Sequence, residues 1–467
     1  MSLKALLALG IALTLGPLGC TTLDIQAVWP ERRPLGKDIP IYQPPLEAST
    51  ATSTVRQVAE PTGVLTLRQA LVLALLQNPE LTASGWEVRA GEARTLQAGL
   101  PPNPELHLAV EDFAGSSALR GFRGTEITLQ LSQVIELAGK RLKRARVAAL
   151  ERDLAAWDYE VKRLDVLTRV SQAFVDVLSA QEQLVLQHEL VRLAEHVLTT
   201  AAERVKAGKV SPVEETRAQV ELSTSRIALA RAQRELEAAR KRLVATWGST
   251  TPTFERAEGG FTRVAAIPSA EQLAQRITQN PDMARWATEM AQRQAAVDLE
   301  EARRIPDPTV GGGFRHFRST GDHALLMEFS LPLPLFDQNQ GSLLEARHRR
   351  AKAEEERRAA AVQAQAALGE AYAQLAAAYT EATTLKDDVL PGAQRAFDAA
   401  SEGYRQGKFG FLEVLDAQRT LFEARGRYLE ALAAYHRAVA EVERLIGEPL
   451  GAVVADTPGL PQHGGIR

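Results

Sequence analysis

Four side chains of this sequence have the chemistry to hold a transition-metal ion: His107, Glu111, His316 and His323. No two of them have compact ligand spacing, such as the paired histidines of a metal-binding helix. With four Met and one Cys in the chain, there is no relay of soft ligands either. They read as solvated groups in strand or loop segments, and no metal site is assigned. There is also no nucleophile–base constellation, phosphate-cradling glycine loop or HExxH helix. The chain is therefore read as not an enzyme.

Composition narrows the remaining classes. The 467 residues are 45% hydrophobic and 24% charged, with a formal net charge of −3. That balance lacks the clustered basic excess of a nucleic-acid binder, so no nucleic-acid partner is expected. Outside the extreme N-terminus no apolar run reaches the roughly 18 residues of a membrane-spanning helix. Residues 1–19, with Lys4 before ALLALGIALTLGPLG, have the form of a secretory signal peptide, and Cys20 follows it. The segment resembles a bacterial lipoprotein signal, which implies a covalent lipid (palmitate) on Cys20 and no other cofactor. Pro17 departs from the usual leucine of that signal, and an ordinary signal peptide with a spectator cysteine stays open.

The elements that must position any site are duplicated. Gln-Asn-Pro followed by an acid occurs at 77–80 and again at 279–282, and Pro102-Asn103-Pro104 returns as Pro306-Asp307-Pro308. LQLSQVIEL (129–137) returns as MEFSLPLPL (327–335), and GKVSPVEETRAQ (208–219) as GKFGFLEVLDAQ (407–418). Gly208 and Gly407 stand 199 positions apart, as do Gly248 and Gly447. Such a period comes before any fold argument. Each copy reads as a helical run (about 66–98 and 269–304), two strands, a very long helix and a shorter one. The first repeat covers 65–248, with strands near 104–113 and 124–134 and helices near 142–207 and 212–247. The second covers 269–447, with strands near 308–318 and 323–331 and helices near 340–406 and 411–446. An extended Pro/Thr/Ser-rich lead-in (20–64), a linker (249–268) and a ragged tail (448–467) flank them.

The run 142–207 contains neither Pro nor Gly, which allows about 100 Å of helix. Val147, Leu150, Leu154, Trp157, Val161 and Leu164 step by three and four, the spacing of a coiled-coil seam. In the second copy Pro391 and Gly392 fall where the first has Arg192 and Leu193, so that twin is expected to be kinked or broken. The strands alternate: Leu106, Leu108 and Val110 against His107 and Glu111; Ile127, Leu129 and Leu131 against Glu126, Thr128 and Gln130. An apolar and a polar face over about ten residues suits a membrane β-barrel strand and equally a half-buried soluble hairpin. Four strands cannot close a barrel in a membrane that tolerates no open edge, so a shared barrel in a symmetric oligomer follows from the first reading.

Taken together, the duplication, GKFGFLEVLDAQRTLFEARGRYLEALAAYHRAVAEVERLIG (407–447), LSQVIELAGKRLKRA (131–145) and LPLPLFDQNQGSLLEA (331–346) resemble the TolC family of outer-membrane efflux ducts. With LPPNPEL (100–106) before EDF (111–113), they are most similar to the outer-membrane components of heavy-metal cation efflux systems. The resemblance spans about 65–447. It implies a mainly α fold with a small β part, in which a homotrimer closes a 12-stranded outer-membrane barrel continued by an α-helical periplasmic tunnel. It further implies a passive duct in the outer membrane, lipid-anchored, that works with a periplasmic adaptor (membrane-fusion) protein and an inner-membrane resistance-nodulation-division pump driven by protons.

Site residues carry over position by position. The resemblance makes Gly208 and Gly407 the turns of two hairpin tips. It places Tyr404, Glu413 and Asp416 at a periplasmic gate, and Arg217, opposite Asp416 in the other copy, is a candidate partner in a latch. Glu413 also falls in a first helical turn, where an acid stabilises the helix dipole without any gating role. Ser211, Pro212 and Glu214 form a capping-box pattern. Val210, Ser211, Pro212, Phe409, Gly410, Phe411 and Leu412 are candidates for the adaptor contact, with local packing as the alternative for the phenylalanines. Two other functions stay open: a drug-efflux or type I secretion duct of the same fold, and an exported coiled-coil lipoprotein scaffold.

Overall fold

The computed structural model describes residues 27, 29–45 and 59–455. The first copy contains β1 (Val64–Thr66), α1 (Leu67–Gln77), α2 (Pro79–Ala98), β2 (Glu105–Glu111), β3 (Glu126–Val134), α3 (Lys140–Lys206) and α4 (Pro212–Ala245). After β4 (Arg256–Glu258), the second contains α5 (Ala270–Arg276), α6 (Pro281–Arg303), β5 (Thr309–Phe317), β6 (Asp322–Ser330), α7 (Gln340–Thr384), α8 (Leu390–Arg405) and α9 (Phe411–Ile446). A short helix, α10 (Leu450–Ala455), follows. The long helices and four main strands lie within a few residues of the sequence expectation. Cys20 and the signal segment lie outside the described residues.

Local chemistry explains where the expected first helical runs divide. Each is broken at its Asn-Pro, because proline removes a backbone donor and disfavours helix at the preceding residue. Asn78 Oδ1 accepts from Leu81 N–H at 2.9 Å, while its Nδ2 donates to the Thr246 carbonyl at 2.7 Å. Asn280 acts alike, accepting one residue earlier in the helix, from Asp282 N–H at 2.7 Å, and donating to the Leu445 carbonyl at 2.8 Å. One side chain thus starts a helix and ties it to the end of another. The helices before these breaks open with capping boxes, Thr66 with Gln69 and Ser269 with Gln272.

The chain divides into two units. One comprises Arg89–Asp153 and Met290–Ala351. Its centre is an antiparallel sheet of order β2-β3-β5-β6. Pleating puts Leu106, Leu108, Ile127, Leu129, Phe314, Leu325, Met327 and Phe329 on one face, largely exposed. Glu105, Glu111, Glu126, Thr128, Gln130, Arg315 and Glu328 share the other. Arg315 bonds Glu126 at 2.9 Å there, and Gln130 bonds Glu328. The glycine-rich third strand has a steric cause: a Cβ at Gly313 would overlap the Leu129 carbonyl oxygen of β3. Near the strand ends, Lys140 pairs with Asp307 at 2.7 Å and Arg144 with Glu136 at 2.6 Å.

The other unit takes Trp29–Val88, Leu154–Glu289 and the chain from Lys352 onward. Here β1 and β4 form a two-stranded parallel ladder absent from the sequence reading, drawn from the lead-in boundary and the linker. Residues 29–45 are not a loose lead-in. Arg163, fully buried, pairs with Glu160 at 2.7 Å and donates to the Leu35 carbonyl at 2.9 Å, while Glu160 accepts from Arg33 N–H at 2.9 Å. The expected tail is corrected in the same way, since Leu450 and Val453 of α10 join the core around Tyr435, Val442 and Ile446. The expected break beside Pro391 takes the form of one π-helical turn, Leu385–Val389, leading directly into α8. A π turn is how a helix accommodates an interrupted hydrogen-bond ladder. Its twin α3 is helical throughout.

Two outcomes test this packing. Replacing Arg163 with Ala leaves Glu160 buried without its partner, and is expected to lower stability by about 3–5 kcal/mol, read by chemical unfolding. Burial pushes the Glu443 carboxyl up to about 7, although it accepts a bond from Leu450 N–H. A raised folded-state pKa adds stability below the ordinary carboxylate range near 4.5 and loses it as pH rises through about 7. The unfolding midpoint is therefore expected to fall between pH 5 and pH 8, with a shallower fall in Glu443→Gln.

Candidate functional site

The two hairpin tips end their first helices identically. Gly208 and Gly407 both take left-handed backbone, at φ +68° and +72°. Lys209 N–H bonds the Arg204 carbonyl at 3.0 Å, and Lys408 N–H bonds the Gly403 carbonyl at 2.8 Å. These are Schellman-type closures, in which the glycine lets the chain reverse without a Cβ penalty. The repeated spelling of the two tips is the repeated requirement for that turn.

The next helices start differently. Ser211 caps α4, its Oγ accepting from Val213 N–H at 3.3 Å, with Pro212 in the first turn. The reciprocal half of the expected capping box is missing, and Glu214 Oε2 is buried with no hydrogen-bond partner among the described residues. Gly410 opens α9 with no side-chain cap, and Glu413 folds back toward it: a Cβ on Gly410 would lie 2.8 Å from Glu413 Oε2. Glu413 is thus placed where it complements the helix dipole.

The tips meet through an aromatic cluster. Phe411, 6% exposed, packs with Ala201 and Ala218 of the first hairpin, flanked by Leu198, Tyr404 and Leu415. Its ring is 6.0 Å from that of Tyr404, and the Arg204 guanidinium stands 4.2 Å over the Tyr404 ring. At this distance a cation–π contact contributes about 0.5–1 kcal/mol, more where water is excluded. Among the described residues Tyr404 Oη is buried without a hydrogen-bond partner, as is Oε1 of Gln418, a residue 3% exposed.

Several expectations change here. Phe411 is an internal anchor between hairpins and not an exposed tip residue. Phe409 is 49% exposed, its ring lying over Gly403, where a Cβ would overlap it. Ser211, Pro212, Gly407, Gly410 and Leu412 are exposed, and Val210 is half-buried. Glu413 and Asp416 are exposed too, but Arg217 and Asp416 form no ion pair within the protomer, so the expected latch is not made there. The inter-hairpin contact runs instead through Arg204, which the sequence reading missed. No local signal marks it, because the contact depends on the register between the two hairpins.

Two helical hairpins with matched tips, and a four-stranded sheet that has one apolar and one polar face, are the parts of the TolC-like fold. The chain belongs to the outer membrane efflux protein family, whose sequence profile matches residues 70–249 and 273–448. It is 37% identical over 418 residues, 89% of this chain and 98% of the relative, to the cobalt-zinc-cadmium resistance protein CzcC of Cupriavidus metallidurans. Among solved structures it superposes on CusC with a TM-score of 0.68 at 18% identity, covering 88% of this chain and 99% of that one. The Neisseria gonorrhoeae MtrE outer membrane channel gives 0.68 at 19% identity, covering 88% and 98%.

Hydrogen exchange separates the two tip phenylalanines. Phe411→Ala removes a buried ring at a cost of about 3 kcal/mol or more, and is expected to speed exchange on the order of a hundredfold at both tips. Phe409→Ala is expected to act on its own tip only. Equal effects of the two substitutions would contradict the anchor role of Phe411.

Proposed function

We propose that the chain is the passive exit duct of a tripartite system that discharges metal cations across the outer membrane. It acts as a homotrimer whose twelve strands close one barrel. A periplasmic adaptor joins it to an inner-membrane resistance-nodulation-division pump, which supplies the energy, and a lipid on Cys20 anchors it. The observation that carries the cargo assignment is the 37% identity, over nearly the full length of both chains, to a cobalt-zinc-cadmium resistance protein.

The physical chemistry of the sheet supports the same reading. Its apolar face is exposed, with Met327 at 92% and Phe329 at 69%, as lipid contact requires. The opposite face carries five acids, Glu105, Glu111, Glu126, Asp322 and Glu328, against one base, Arg315. Threefold repetition of that excess around a lumen would attract cations and repel anions. Glu413 and Asp416 would add acidic rings at the hairpin tips, where unpaired like charges favour a bound cation. Tyr404, Phe411 and Arg204 hold the two hairpins of one protomer together, so opening moves each pair as a body.

The test is the reversal potential of single channels in planar bilayers under a salt gradient. Cation selectivity with block by cobalt or zinc ions is expected, and Glu413→Ala combined with Asp416→Ala should weaken both several-fold. Unchanged selectivity and block in the double variant would remove these acids from the gate. Anion selectivity of the unaltered protein would contradict the cation duct itself.

A further inference from the structure

At one end of the apolar face the series of Leu, Ile, Phe and Met stops at two histidines. His316 of β5 and His323 of β6 are direct cross-strand partners, next to the turn that joins the two strands. Their rings are stacked, with centroids 4.7 Å apart and planes inclined by 29°. His316 Nδ1 lies 3.2 Å from the Asp322 carbonyl oxygen. A carbonyl can only accept, so Nδ1 carries the proton and the lone pair of the neutral ring is on Nε2. Such a backbone bond to one ring nitrogen is how proteins orient a metal-ligating histidine.

The two stand seven positions apart in sequence, a spacing that hid the pair. The hairpin register brings the rings together. Two nitrogens bound to one tetrahedral ion stand about 3.4 Å apart, from metal–nitrogen bonds of about 2.0–2.1 Å. His323 is exposed, and binding requires its ring to turn out of the stacked arrangement until its nitrogen meets that separation. Two imidazoles without a thiolate suit borderline dications such as zinc, cobalt, nickel or copper, and not magnesium or calcium. Solvent at the exposed edge can supply the remaining ligands.

We propose that His316 and His323 form a binding site for one divalent first-row transition-metal ion per chain, which clips the β5–β6 hairpin at its turn. The site lies on the face opposite Glu126, Arg315 and Glu328, so it is separate from the proposed conduction path and does not rest on the duct reading.

The test uses untagged full-length protein in detergent, stripped with chelator and dialysed, then titrated with zinc ion alone by calorimetry. About one ion per chain is expected for the unaltered protein and for His107→Asn, whose histidine is on the opposite face. His316→Asn and His323→Asn should each weaken binding about tenfold or more, and the double variant should lose the saturable heat. No zinc uptake by the unaltered protein, or the same uptake by the double variant, would overturn the proposal. A second measurement needs no variant. Zinc should protect His316 and His323, but not His107, from acylation by diethyl pyrocarbonate as read by mass spectrometry. Equal labelling with and without zinc would also overturn it. Channel conductance is expected to be unchanged in the His316 and His323 variants, which keeps this result distinct from any failure of the duct reading.

Discussion

A four-stranded sheet whose two edges are unpaired among the described residues is the constraint from which the proposed oligomer and its membrane role both follow. β2 and β6 each leave a row of backbone donors and acceptors without partners in the protomer, and one face of the sheet presents leucine, phenylalanine and methionine to the outside. In water such edges invite uncontrolled pairing, and in hydrocarbon each unpaired backbone group costs several kcal/mol. Closure with other copies removes both problems at once. The glycines of β5 belong to the same constraint, because Gly313 lets β3 and β5 approach where any side chain would strike a carbonyl.

The helical hairpins solve a different problem. A helix of 67 residues has far more seam than one chain's own contacts stabilise, so its positions must be tied at intervals. The ends of the hairpins are tied by Asn78 and Asn280, each of which starts a helix and donates to the closing turn of another, at the Thr246 and Leu445 carbonyls. Near the N-terminal lead-in the tie is ionic, through the buried Arg163–Glu160 pair, and at the tips it is aromatic, through Phe411, Tyr404 and Arg204. The exposed tip surface is then left to small and polar residues with Phe409 and Leu412, a composition suited to a partner's contact.

Much of this was legible in the sequence because it depends on short-range rules. Positive-φ glycines, alternating strands and proline-free helical runs each have a local physical cause, and the internal duplication showed most of them twice; the breaks at the two Asn-Pro steps have a local cause too but were read through as continuous helix. What was not legible depends on register between distant segments. Nothing local in residues 64–66 and 256–258 says that they pair, and nothing in Arg204 says that it will sit over Tyr404 and leave Asp416 unpaired. Phe411 looked like a tip residue because it follows the turn. It is buried because the first hairpin offers Ala201 and Ala218 opposite it. His316 and His323 were read as isolated for the same reason.

The account stands or falls on closure of the sheet by other copies of the chain. The most direct measurement is the mass of the purified protein in detergent, by light scattering, with single-channel recording from the same preparation. A trimeric mass with discrete conductance steps is the expected result. A monomer without conductance would contradict it, and would return the strands to soluble hairpins on an envelope scaffold.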